Sequence, residues 1–290
     1  MNKTSIEWTH RPGTVGMTWN PIRARFRDDA GNILKGWACT HASPGCLHCY
    51  AETINKRFGT GLPFSVPALS RVEFYLDEKI LQEPPKAKKP CTIFVGDMFD
   101  LFHEAIPDSM ILAVFDVMRI SSNHVFQMLT KRTERMSRFG VLADYTMSHV
   151  WPGTSVEDEK RAAERTPYLC RTRTLGKRFL SVEPMLEPVE LRSKTNCADA
   201  ESPLGCIDWV ICGGESGPHA RPFNLSWAES LREQCKAAGV PFFMKQVGSN
   251  PRIWSDVVKS EIKWLACKDD RKGGDPTKWP PNLRVREFPA

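Results

Sequence analysis

At 290 residues and 41% hydrophobic content, the chain is long enough to bury a full core, and α/β barrels of this size are often one domain. No apolar run reaches eighteen residues, which excludes a membrane-spanning helix, and the start, Met1-Asn-Lys-Thr-Ser-Ile-Glu-Trp8, carries no apolar signal core, so the expected location is the cytoplasm. In that reducing compartment ten cysteines are not a disulfide framework, and clustered ones point to metal, while a formal charge of +6 permits a polyanionic partner without demonstrating one.

In chain order, the first segment is aromatic and turn-rich, from Ile6 to Ile22. A short strand is predicted over Met17–Asn20, ended by Pro21. Residues 23–36 read as a polar loop or small hairpin turning at Ala30-Gly31-Asn32. Next comes Cys39-Thr-His-Ala-Ser-Pro-Gly-Cys46-Leu-His-Cys49-Tyr-Ala-Glu52, three cysteines spaced C-x6-C-x2-C. Ser43-Pro44-Gly45 forces a turn that lets three thiolates converge, a poor disulfide set but a good soft-metal site. A helix is expected over Leu47–Phe58 with Tyr50, Ile54 and Phe58 facing inward. Residues 59–90 read as irregular, apart from a helix over Leu76–Gln82 and the breaker Pro84-Pro85.

From there a repeat runs to residue 248. Apolar, strand-length runs lie at Thr92–Met98, Val125–Lys131, His149–Glu157, Arg178–Pro184, Asp208–Glu215 and Pro241–Gln246. Helical periodicity fills Asp108–Ile120, Arg132–Phe139, Asp158–Arg171 and Trp227–Ala238, and an irregular insert covers Ser193–Gly205. Strands alternating with helices mean βα units and a parallel sheet. Seven such strands favour a partial or complete (β/α) barrel in one domain over 1–290. Residues 1–60 supply its first strand, cysteine loop and first helix, residues 91–248 its repeated units, and residues 249–290 an irregular tail.

Most of these strands end in polar groups: Gly96-Asp97, Thr130-Lys131, Ser155 with Glu157, Ser181 with Glu183, Gly214-Glu215 and Lys245-Gln246. In a parallel barrel the carboxyl ends of the strands share the face on which active sites are built. Strand ends are polar wherever they reach water, so the weight lies in the repetition. Glu183, Glu215 and Lys245 are the candidate catalytic groups. Cys91, Cys170, Cys212 and Cys235 sit on apolar faces and read as small buried hydrophobes, and Cys197, Cys206 and Cys267 lie near loops. His103 and His219 lie just past strand ends, where ordinary histidines and acid/base groups are both found.

Several motifs together, Trp19-Asn-Pro21, the cysteine run through Glu52, Asp100-Leu-Phe-His-Glu104 and Leu129-Thr-Lys-Arg132, resemble a phage and prophage family of unknown function. Thr154-Ser-Val-Glu157, Leu180-Ser-Val-Glu-Pro184, Gly213-Gly-Glu-Ser-Gly-Pro218 and Val240-Pro-Phe-Phe-Met-Lys-Gln246 fit the same family, nearly end to end. Its three-cysteine motif is similar to that of radical S-adenosylmethionine (SAM) enzymes. The resemblance implies a barrel fold and reductive cleavage of SAM to a 5′-deoxyadenosyl radical. It implies that Cys39, Cys46 and Cys49 hold three irons of a [4Fe-4S] cluster whose fourth iron takes SAM, although radical SAM enzymes usually space these cysteines C-x3-C-x2-C. It also implies SAM contacts from Gly96, Asp97, Ser155, Glu157 and His48, the last standing where an aromatic residue often packs on adenine. A flavodoxin or ferredoxin would be the electron donor, in the host cytoplasm if the protein is phage-encoded, and a nucleic acid or nucleotide the substrate. The alternative is a non-catalytic nucleic-acid-binding protein built on structural zinc, with His41 or His48 as fourth ligand.

Overall fold

The computed structural model describes residues 1–142, 147–172, 175–191, 203–255, 257–264 and 270–290. The chain has a mixed α/β fold and divides into two compact units, one comprising Met1–Pro152 with Thr174–Gly176, the other Gly153–Arg173 with Lys177–Ala290.

In the first unit the strands are β1 (Asn2–Lys3), β2 (Val15–Trp19), β3 (Ile22–Arg27), β4 (Ile33–Gly36), β5 (Val72–Leu76), β6 (Cys91–Val95) and β7 (Val125–Thr130), with β8 (Val150–Ser155) beginning here and ending in the second. The helices are α1 (Tyr50–Phe58), α2 (Val66–Leu69), α3 (Glu78–Leu81), α4 (Asp108–Ile120) and α5 (Thr133–Leu142). β2, β6 and β7 pair in parallel, and β1 adds antiparallel to β2. β6 is buried at every residue, as its unbroken apolar run requires of a strand covered on both faces. α4 matches its expected span, burying Ile111, Val114, Phe115 and Met118 on one stripe.

In the second unit α6 (Glu159–Cys170) follows the end of β8, then come β9 (Phe179–Val182), β10 (Trp209–Gly213), β11 (Phe223–Asn224), α7 (Leu225–Ala238), β12 (Phe242–Gln246), β13 (Pro251–Ser255) and β14 (Ser260–Lys263). Parallel pairing orders this unit's strands β8-β9-β10-β12. α6 starts at Asp158, whose carboxylate accepts from the Arg161 amide at 2.8 Å. α7 stops at Gly239 with φ of 68°, the left-handed turn that glycine adopts without steric cost.

The small hairpin expected over residues 23–36 is present as β3 and β4, paired antiparallel and turning through residues 28–32, with Phe26 buried and Arg25 and Arg27 exposed. Three expectations need correction. Residues 59–90 are not irregular apart from one helix, because β5 adds to that hairpin to make a second sheet, β4-β3-β5. The tail is not wholly irregular, because β13 and β14 form an antiparallel hairpin. On α1, Tyr50, Ile54 and Phe58 are 51%, 37% and 70% exposed, and Ala51, Glu52 and Asn55 face inward instead. The expected Ser193–Gly205 insert falls largely outside the described residues, as do Cys197 and Cys267.

Candidate metal centre

The cysteine loop, residues 37–49, is tied to the segments that follow β6 and β7, through His103 and Arg132 on Thr40. Asn55 in α1 anchors its start: its side-chain oxygen accepts from the amides of Trp37 at 2.9 Å and Thr60 at 3.2 Å, and its amide nitrogen donates to Thr60 Oγ1 at 2.8 Å and the Leu62 carbonyl at 3.0 Å. The next turn is fixed by Thr40, whose hydroxyl receives Arg132 Nη2 at 2.9 Å. His41 then meets Glu52 at 2.7 Å, and Lys56 holds the other Glu52 oxygen at 2.6 Å. A short 3-10 turn, Pro44–Cys46, and a bond from the Cys49 amide to the Cys46 carbonyl at 3.2 Å close the loop. Cys49 is the N-cap of α1.

The segment after β6 also meets α1, the residue after β2 and the segment after β7. The Tyr50 hydroxyl donates to the Asp97 carbonyl at 2.6 Å, and Asn20 donates to the Asp97 carboxylate at 2.6 Å. Gly96, at φ of 76°, lets the chain turn just beyond β6. Asp100 accepts from the Thr130 hydroxyl at 2.6 Å, the Lys131 amide at 3.1 Å and Arg132 Nη1 at 3.0 Å, joining the segments after β6 and β7.

Cys39, Cys46 and Cys49 are free and partly exposed, and Cys39 and Cys49 lie against Ala51, Phe64 and Met98. Burial pushes the Cys39 thiol up to about 12, helped by Asp100 and Cys46; Arg132 and the Asp100 amide act the other way. Burial also raises Cys49, opposed by the Glu52 and Ala51 amides and by Lys131, with Cys46 adding to the rise. Cys46 therefore stands within electrostatic reach of both other sulfurs. Among the described residues no three His, Cys, Asp or Glu side chains form a ready-made metal-ligating group. The donor set itself, three thiols on one loop, is of the soft kind that a metal or cluster takes, while burial holds Cys39 and Cys49 towards the thiol form. His48 is exposed.

Asp97 is raised by burial against hydrogen bonds from Asn20 and Thr18, so it is a buried carboxyl whose partners are neutral. His103 is 2% exposed. Its Nδ1 accepts from the Ala105 amide at 3.1 Å, which leaves the proton on Nε2 for Thr40 Oγ1 at 2.9 Å.

The second unit gathers the other candidates at its own strand ends. Glu183 and Lys245 meet at 2.5 Å, both 16% exposed. Glu215 accepts three hydrogen bonds from Arg221, from Nη2 to Oε1 at 2.7 Å and from Nε and the backbone amide to Oε2 at 3.1 and 2.9 Å. Glu157 is fully buried and paired with Arg165 Nη1 at 2.9 Å, which also donates to the Ser155 carbonyl at 2.7 Å. Pairing of that kind serves the fold as readily as a ligand. Cys170, expected as a small buried hydrophobe, is instead disulfide-bonded to Cys206; the two lie 36 residues apart, and nothing in their spacing distinguishes them from the other scattered cysteines. Cys91, Cys212 and Cys235 are buried and free, as expected. Asn55 reads in the sequence as an ordinary polar helix position, and Arg132 is marked there only as the end of the motif Leu129-Thr-Lys-Arg132, with no role of its own.

The protein-family model described as "Protein of unknown function (DUF5131)" matches residues 3–265. The chain belongs to this family. No curated protein and no solved structure shows significant similarity to it. Among the described residues no helix is long and apolar enough to cross a membrane.

Proposed function

We propose that this is a radical-SAM-like iron–sulfur enzyme on a barrel of that type, with Cys39, Cys46 and Cys49 as ligands of a [4Fe-4S] cluster. The observation that carries the reading is that three free cysteines lie on one anchored loop, tied through Thr40 to His103 after β6 and to Arg132 after β7. When bound, such a cluster supplies one electron for reductive cleavage of SAM.

The chain's own residues have definable tasks in that reading. Cys39, Cys46 and Cys49 hold three irons and leave a fourth open. Asp97, buried among neutral partners, offers a carboxylate to the ammonium of SAM, and the turn at Gly96 brings backbone close to it. Tyr50 and Asn20 hold Asp97 in place. Glu183 and Lys245 form a paired acid and ammonium, which suits them to hold or move a proton on a substrate. A nucleic acid or nucleotide is the substrate class that the excess of Lys and Arg over Asp and Glu favours.

Anaerobic purification with iron and sulfide analysis, followed by SAM and dithionite, tests the reading. The expected result is a brown protein with about four irons that releases 5′-deoxyadenosine. A colourless protein holding one zinc overturns it.

A further inference from the structure

We infer that Arg132 is a positioning residue for Cys39, ordering the cysteine loop through Thr40 and supplying the positive charge that raises the reduction potential of the centre bound there. The inference rests on the iron–sulfur reading of the loop.

Arg132 stands two residues past the end of β7 and its side chain is 9% exposed. Every donor nitrogen is engaged: Nε on Glu104 at 2.8 Å, Nη1 on Asp100 at 3.0 Å, and Nη2 on the Thr40 hydroxyl at 2.9 Å and carbonyl at 3.2 Å. Nη1 also lies 4.0 Å from Cys39 Sγ. A guanidinium spread over that fork cannot swing away, so the charge near the sulfur is fixed by geometry. Asp100 is itself locked by Thr130 and by the Lys131 and Phe102 amides, and its negative charge opposes Arg132 at Cys39. Without Arg132 the sulfur would face Asp100 unscreened.

A cation beside a cluster stabilises the reduced form, which carries one more electron, so its loss lowers the potential. Loop order and charge are separable. Thr40→Val removes the hydroxyl link and keeps the guanidinium. Arg132→Lys keeps the charge and loses the fork. Arg132→Gln loses both.

The experiment measures the midpoint potential of the anaerobically reconstituted centre, by dithionite titration with redox mediators, and amide exchange across residues 37–49 in the metal-free protein. Arg132→Gln is expected to lower the potential and to speed exchange at least about tenfold, the loss of roughly one charge-assisted hydrogen bond. Thr40→Val and Arg132→Lys are expected to speed exchange while keeping a potential near wild type. A wild-type potential in Arg132→Gln, or an equal drop in Arg132→Lys, overturns the charge assignment. Unchanged exchange in Arg132→Gln and Thr40→Val overturns the ordering role. If the wild-type protein takes up no iron and sulfide, the iron–sulfur reading itself fails and with it the tuning role, while the exchange comparison still decides the ordering role.

Discussion

Glu183 and Lys245 join the ends of β9 and β12 across the intervening strand, with Lys245 Nζ 2.5 Å from Glu183 Oε1. The Glu183 carboxylate lies beside Gly213 at the end of β10, where an added Cβ would lie 3.4 Å from Oε1. Glu183→Gln keeps the shape and removes the charge, and is expected to cost about 1.5–3 kcal/mol in urea unfolding, the range for a hydrogen bond to a charged partner. If the pair serves chemistry, turnover of Glu183→Gln falls at least about tenfold while iron content stays at the wild-type level; a transition-state contribution of about 1.4 kcal/mol suffices for that. Full turnover in a folded Glu183→Gln protein would remove it from the catalytic set.

The three ligand positions are separable from the other free cysteines by a simple comparison. Cys39→Ala, Cys46→Ala and Cys49→Ala are each expected to reduce iron and sulfide to background after anaerobic reconstitution. Cys91→Ala and Cys235→Ala, on buried strand and helix positions, are expected to retain both and to lose only about 1 kcal/mol of stability from a small cavity. Equal iron loss in all five would mean that the metal is bound adventitiously.

The repeated βα units were legible because their signal is local: a continuous apolar run such as Cys91–Val95 and the stripe Ile111, Val114, Phe115, Met118 each declare one element. The meeting of the segments after β6 and β7, at Asp100 and Thr130, followed from their parallel pairing. What stayed hidden was set by distant partners. α1 presents Glu52 and Asn55 inward because His41, Trp37 and Thr60 need their hydrogen bonds, and that polar demand outweighs the apolar stripe of Tyr50, Ile54 and Phe58. Sequence periodicity weighs apolar burial alone and therefore chose the opposite face. Arg132 was likewise unreadable, since its partners Thr40, Asp100 and Glu104 lie 92, 32 and 28 positions away.

His103 gives the fold a pH dependence with a definite sign. Burial, with the positive charge of Arg132, pulls its pKa from the ordinary 6.5 down to about 4. The unfolded chain takes a proton below about 6.5 and the folded one only near 4, so stability is fully present above 6.5 and is lost as pH falls through that window. Urea midpoints measured from pH 7 to pH 4.5 are expected to fall for the wild type. His103→Gln, whose amide can still donate to Thr40, is expected to show a flatter dependence over the same interval. An identical slope in the two proteins would assign the titration to other groups.

Asn55 is the strongest structural commitment in the loop. It is wholly buried and uses its oxygen for two backbone amides and its nitrogen for one hydroxyl and one carbonyl. Gly36 and Gly59 carry no Cβ where one would come within 2.4 and 2.2 Å of the Asn55 oxygen, so the surrounding chain is built to this side chain. Asn55→Ala strands the Trp37 and Thr60 amides away from water, at about 1–3 kcal/mol for each unsatisfied group. The expected loss is roughly 2–5 kcal/mol in urea unfolding, together with faster amide exchange at Trp37 and Ala38, just ahead of Cys39. Asn55→Asp retains the acceptor oxygen and loses the donor side, so it should lie between Asn55→Ala and wild type at neutral pH. Were Asn55→Ala to unfold at the wild-type urea midpoint, the anchor of the cysteine loop would have to be sought in Arg132 and Glu52 alone.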